Sequence, residues 1–160
     1  MAIYLKIPEV SGSVTTKNYE NWIELAGMNF VAKRSIAQRI GHQQNREPGI
    51  PYIGELELSK YPDKASSKIQ TQLLQGKSWS ECKIVVGNGT DTIKPFIQYT
   101  LHDVMVSHYE ESILPHAEHN GSEFVKLSFT KVETFTPYNS QGMAQSPFVV
   151  GYNLATAQAM

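Results

Sequence analysis

Ile3, Leu5 and Ile7 alternate with Tyr4 and Lys6, and Pro8 ends the run. Alternation of this kind is the period of a strand, whose successive side chains point to opposite faces. Ser11, Gly12 and Ser13 mark a turn. Apolar patterning predicts further strands over Trp22 to Val31, Glu55 to Lys60, Cys82 to Val86, Ile93 to Ser107, Phe124 to Phe135 and Phe148 to Leu154. Asn88-Gly89 and Asn120-Gly121 are tight-turn signals, because both residue types tolerate positive φ. Pro137 to Gly142 reads as another turn, and the small-residue tail after Leu154 is expected to fray. Residues 32–54 lack a clear period and read as a long extended loop, rich in Arg, Gln and Gly.

One helix interrupts this β code, over about residues 66–75. Tyr61-Pro62-Asp63 makes the turn before it, and Ser66 is expected to cap its N-terminus. Ile69 and Leu73 lie four apart on one face, with Ala65 just ahead and Leu74 widening the stripe. Gly76 sits where a left-handed C-terminal residue is wanted. A helix this short does not stand alone in water, so it must dock on a sheet or at a barrel mouth.

Three strands change phase midway. Ile23 and Leu25 give way to Met28 and Phe30. Ile97, Tyr99 and Leu101 give way to Val104 and Val106. Val125, Leu127 and Phe129 give way to Val132. A flat sheet with one wet face keeps its phase. The changes predict bulges, with Gly27 as one such point, or strands whose two halves bury different faces. Long strands curling round a small barrel, partly covered by the helix or a neighbouring chain, satisfy both.

The 160 residues suit one domain, 1–160, with a real core. Hydrophobic residues make up 41% and charged residues 18%, which is a globular composition. A net charge of −1 gives no reason to expect nucleic acid or an anionic membrane as partner. The single cysteine, Cys82, excludes an internal disulfide and a Cys-rich metal site. No apolar run is long enough to insert in a membrane, and the first residues lack the pattern of a cleaved signal.

Candidate chemistry is thin. His116-Ala117-Glu118 matches half of a zinc deaminase signature, but the required later cysteines are missing. His116 and His119 flank a turn rather than share a helix face, so they read as solvated. Cys82 opens an apolar strand and reads as a core or interface residue. The chain has no nucleophile elbow, dinucleotide fingerprint or P-loop. Trp22 and Trp79 read as packing residues, and the Asn-Gly-Thr and Asn-Gly-Ser triplets as hairpin turns. The reading is a non-enzyme with no cofactor and no metal.

One charge pattern stands out. The segment Lys33 to Gly54 carries Lys33, Arg34, Arg39 and Arg46 against Glu47, a net of +3, with His42 in its midst. The segment His108 to Glu123 carries Glu110, Glu111, Glu118 and Glu123 and no Lys or Arg. Either these are two solvated segments, or they meet across a contact between chains. Exposed pairs contribute about 0–1 kcal/mol each, so such a contact sets register more than affinity.

The blocks MAIYLKI, ELSKYPDKASSKIQTQLLQGKSWSECKIVV, YTLHDVMVSHYEES and VKLSFTKVETFTP, in this order, resemble the haemolysin-coregulated proteins. Those are the inner-tube subunits of the bacterial type VI secretion system. The resemblance covers nearly the whole chain. It departs at Ser67, where relatives often have proline, at His108, where many have serine, and in the 32–54 segment. It implies a mainly β fold: a small β-barrel of two packed, mostly antiparallel sheets with one helix at its side. It also implies homohexameric rings stacked into a tube, with a contractile sheath, a spike protein and small effectors as partners. Localisation would be the bacterial cytoplasm before firing, then secretion without a cleaved signal. The alternatives are a bacteriophage-type tail tube protein and a monomeric ligand-binding β-barrel.

Overall fold

The alternating runs become strands, and their pairing explains the phase changes. The computed structural model describes residues 1–38, 40–41, 46–89, 92–113, 115, 121–138 and 144–159, with backbone only for 137–138 and 144–148. In chain order the elements are β1 (Ala2–Lys6), β2 (Ile23–Glu24), β3 (Gly27–Asn29), β4 (Ala32–Gln38), β5 (Arg46–Ile53) and β6 (Leu56–Lys60). Then come α1 (Ser66–Gln75), β7 (Trp79–Asn88), β8 (Lys94–Ser112), β9 (Ser122–Ser128), β10 (Lys131–Tyr138), β11 (Ala144–Asn153) and β12 (Gln158–Ala159).

Two sheets share the long strand β8. The larger runs β12-β11-β10-β8-β7-β1-β2, and the smaller β3-β6-β9-β8. All pairings are antiparallel. The first half of β8 pairs with β10 (Leu101 opposite Val132) and the second half with β9 (Val106 opposite Leu127). The mainly β, two-sheet, one-helix expectation holds, but the sheets are not closed into a barrel. The predicted strand Trp22 to Val31 is instead divided. β2 pairs with β1, β3 pairs with β6, and the ladder breaks at Leu25 and Ala26. There the Leu25 N–H donates to the Ile3 carbonyl (2.9 Å) and the Ala26 N–H to the Ser59 carbonyl (2.7 Å).

Each phase change falls where the chain passes from one sheet to the other. In β8 it lies at Asp103, which is left-handed (φ 51°) between buried Leu101 and Val104. Facing it, Thr130 separates β9 from β10, and its N–H donates to the His102 carbonyl (3.0 Å). The third lies at Leu25 and Ala26, one residue before the expected bulge at Gly27. In β8 the left-handed Asp103 reverses which face points inward, so each half of that strand serves its own sheet.

Between the sheets lie Leu5, Ile23, Leu56, Leu58, Ile84, Leu101, Val104 and Leu127, each at most 2% exposed. Burying each large aliphatic side chain contributes about 1.5–3 kcal/mol. Cys82 is fully buried in this core, and burial pushes its thiol pKa up to about 12. The site is therefore a packing position, and the thiol carries no nucleophile.

α1 packs against β8, which has β7 beside it only as far as Val104. Its ends differ in part from expectation. Gly76 is left-handed (φ 62°), as the sequence requires. Ser66 is not the cap: Ala65 holds that position and makes no side-chain capping bond. Instead the Asp63 N–H donates to Ser66 Oγ (3.0 Å) and the Ala65 N–H to Asp63 Oδ1 (3.0 Å), so the preceding turn is fixed. Ile69 is buried, but Leu74 is 77% exposed and does not widen the stripe.

Residues 32–54 are not an unpaired loop. β4 and β5 form their own two-stranded sheet, with Lys33 opposite Tyr52 and Gln38 opposite Arg46. Every residue of β4 is exposed. With neither face buried, the segment had no apolar period to betray it as strand. The hairpin stands off the body as an arm rooted at Val31 and Gly54, where the Gly54 N–H donates to the Val31 carbonyl (2.8 Å).

Candidate functional site

Glu123 aside, the expected basic and acidic residues fall into three groups. Lys33, Arg34 and Arg46 sit on the arm. Glu110 and Glu111 are exposed at the end of β8. Arg39, His42 and Glu118 lie outside the described residues, as do His116 and His119. Within one chain, none of Lys33, Arg34 and Arg46 pairs with Glu110 or Glu111 among the described residues. The arm also exposes Ile36, Ile50 and Tyr52, and the Lys33 ammonium lies 5.0 Å from the Tyr52 ring centre.

Glu123 must be removed from the acidic surface. It is the second residue of β9, directly opposite Lys60, which ends β6, and both are 1% exposed. Lys60 Nζ lies 2.5 Å from Glu123 Oε2 and 2.9 Å from Asp63 Oδ1. It also donates to the Tyr61 carbonyl (2.9 Å) and to Ser66 Oγ (3.1 Å). Tyr109 of β8 faces the same cluster, where burial, and then the Glu123 carboxylate, raise its phenol well above the ordinary value. One lysine thus ties β6, β9 and the entry to α1 together. Charges this dry persist only because they are paired. Sequence reasoning missed this hub because a lysine and a glutamate 63 residues apart both read as surface.

A second feature missed from sequence is a polar ladder on the outer face of the smaller sheet. Asn29, Glu57, Lys126 and His108 stand in one row across β3, β6, β9 and β8. Asn29 Nδ2 donates to Glu57 Oε2 (3.0 Å), and Lys126 Nζ lies 2.9 Å from Glu57 Oε1. These bonds, with Lys126 first, hold the Glu57 carboxyl below its usual range, while Glu57 raises Lys126. Phe124, in the next row, lies beneath the Lys126 ammonium (5.6 Å) and the His108 ring (5.8 Å). Finding this from sequence required the register, which the phase changes obscured.

No group of three His, Cys, Asp or Glu side chains among the described residues can hold a metal ion. His102 stands between Glu133 (3.5 Å) and Glu81 (4.0 Å), flanked by Lys83 and Lys131, with no nucleophile in the row. No helix among the described residues is long and apolar enough to cross a membrane.

Two packed sheets sharing a strand, a helix beside that strand and a bare hairpin arm define a β-sandwich with one exposed two-stranded appendage. The family model described as type VI secretion system effector, Hcp, matches residues 4–135, and the chain belongs to that family. The fold agrees with solved structures of that system. A type six secretion system protein superimposes with a TM-score of 0.90 at 22% identity, covering 99% of each chain. Hcp1 from Salmonella typhimurium gives 0.80 at 21% identity, covering 99% of this chain and 98% of that one. A type VI secretion system effector from Yersinia pestis gives 0.70 at 18%, covering 94% and 98%. No curated protein matches the chain.

Proposed function

We propose that this chain is a structural, non-enzymatic subunit of a type VI secretion inner tube. Six copies associate head-to-tail into a ring, and rings stack into a tube that a contractile sheath expels with its spike. The channel carries small effectors. The protein waits in the bacterial cytoplasm and leaves the cell as part of the expelled tube. The observation that carries this reading, beside family membership, is the arm. An isolated two-stranded hairpin is marginal in water, and this one leaves Ile36, Ile50 and Tyr52 bare. A second copy supplies the missing cover. A closed ring needs two different patches on each subunit, and the basic arm and the acidic end of β8 at Glu110 and Glu111 are of opposite sign.

Size-exclusion chromatography with light scattering tests the reading. The expected mass is about six times the 17.9 kDa chain. A clean monomer across the micromolar range contradicts it.

A further inference from the structure

The outer face of the larger sheet carries a cleft that packing leaves open. Residues 11–22 fold back over that face. The Gly12 N–H donates to the Asn21 carbonyl (2.8 Å) and the Val14 N–H to the Trp22 carbonyl (3.1 Å). Tyr19 and Trp22 meet edge to face with ring centres 5.1 Å apart, and both pack against the buried cluster of Tyr4, Val14 and Ile93. Beside them lies a cleft of about 240 Å³, walled by Tyr19 and Trp22 and floored by Lys83, Val85, Gln98 and Thr100. The floor is two opposed pairs of β7 and β8, Lys83 with Thr100 and Val85 with Gln98. Ile84 and Leu101 point into the core, so these four side chains stand on the opposite, outer face.

The polar groups of this cleft are uncommitted. The Tyr19 hydroxyl, the Trp22 indole N–H, the Gln98 amide and the Thr100 hydroxyl make no hydrogen bond among the described residues. All four residues are half-buried, yet none of these atoms is sealed from water. Lys83 Nζ lies 3.0 Å from Glu81 Oε1, so the cation at the rim is already balanced. This set of groups defines a ligand class. A charged ligand finds no counter-charge to pair with. An aliphatic ligand would take polar groups from water and pair none of them. A pyranose ring meets both demands. One of its faces is C–H, which packs on an aromatic surface, and its rim of hydroxyls both donates and accepts. The cleft is smaller than drug-sized pockets of about 300–1,000 Å³, which suits a single ring.

We propose that this cleft is a binding site for one uncharged sugar ring. The C–H face of the sugar lies against Tyr19 and Trp22, Gln98 and Thr100 hold its hydroxyls, and Lys83 donates from the rim. Every residue it uses belongs to one chain, so the inference stands apart from the ring reading above.

Saturation-transfer NMR on the full chain as purified tests this, with glucose, galactose, mannose and N-acetylglucosamine as probes. Glycerol, which has hydroxyls but no ring face, is the control. At least one of the four sugars should bind with a Kd of about 1–10 mM, and glycerol should not. The double variant Gln98→Ala with Thr100→Val removes the hydroxyl partners from an outer strand face. It should weaken binding at least about ten-fold while the melting point stays within a few degrees of the parent. Gln70→Ala, on the exposed side of α1 and outside the cleft, should leave binding unchanged. Absence of transfer from all four sugars overturns the proposal. So does glycerol binding as well as they do, or a double variant that binds like the parent, which would put the site elsewhere. The methyl glycoside of the best sugar separates two sources of the same chemistry. Equal binding assigns the cleft to the end of a glycan and lost binding to a free sugar, and either result supports a sugar site.

Discussion

Replacing Lys60 by methionine isolates the most consequential electrostatic feature of the fold. Lys60 and Glu123 are each 1% exposed and oppose one another at the ends of β6 and β9. The substitution keeps an unbranched chain of similar length but leaves the Glu123 carboxylate dry and without its cation. Breaking a buried pair from one side costs about 3–5 kcal/mol. A domain of this size has about 5–15 kcal/mol in total, so the loss is a large part of it. The double variant Lys60→Met with Glu123→Leu removes the stranded charge and should recover most of the loss, because well-packed apolar groups replace buried pairs at little cost. Lys83→Met is the internal control. Its partner Glu81 lies 3.0 Å away, but the two side chains are 54% and 41% exposed, so the cost is about 0–1 kcal/mol. Urea unfolding followed by tryptophan fluorescence, at several protein concentrations to separate assembly from folding, measures all three. A Lys60→Met cost equal to that of Lys83→Met, or a double variant no more stable than the single, refutes the account of the hub.

Other outcomes follow from particular residues. A methyl group at Gly12 would lie 2.1 Å from the Trp22 carbonyl oxygen, so Gly12→Ala should cost at least about 2 kcal/mol in thermal or urea unfolding. Cys82, with its thiol raised to about 12 by burial, should ignore an aromatic disulfide reagent in the folded protein and react fully once unfolded. Reaction within minutes in native buffer contradicts its placement. Glu57 is lowered and Lys126 raised, so their pair contributes between the ordinary carboxylate value of 4.5 and the ordinary lysine value of 10.5. The contribution is lost as pH falls through the lowered Glu57 value, and again as it rises through the raised Lys126 value. The melting-point gap between the parent and Glu57→Gln should therefore close on acidification, and a gap that widens there is the wrong sign. Ile50→Asp, on an arm residue 83% exposed, should leave the chain's melting point within a degree or two yet weaken assembly by light scattering.

How legible the fold was depended on whether an element buries one face. β6 buries alternate residues, and its period of two was plain in Leu56 and Leu58; β1 showed the same period in Ile3 and Leu5, although Tyr4 between them is covered as well. The arm buries neither face, so Ala32–Gln38 and Arg46–Ile53 carried no period and read as loop. The phase changes were visible in the chain at Leu25 to Met28, Leu101 to Val104 and Phe129 to Val132. Their meaning was not, because only the pairing shows that each marks a passage between sheets. Charged residues were hardest. Glu123 read as part of an acidic surface, and only its position opposite Lys60 shows that it belongs to the core. The ladder from Asn29 to His108 depends on register across four strands, which no local pattern encodes. What the chain did declare was the family, through an ordered series of short blocks, none of them specific alone.

Electron micrographs of the purified protein test the central claim most directly. The account predicts single particles whose averages show six-fold rings with an open centre, some stacked end to end. Monodisperse particles the size of one chain, or closed assemblies with no central opening, would contradict it.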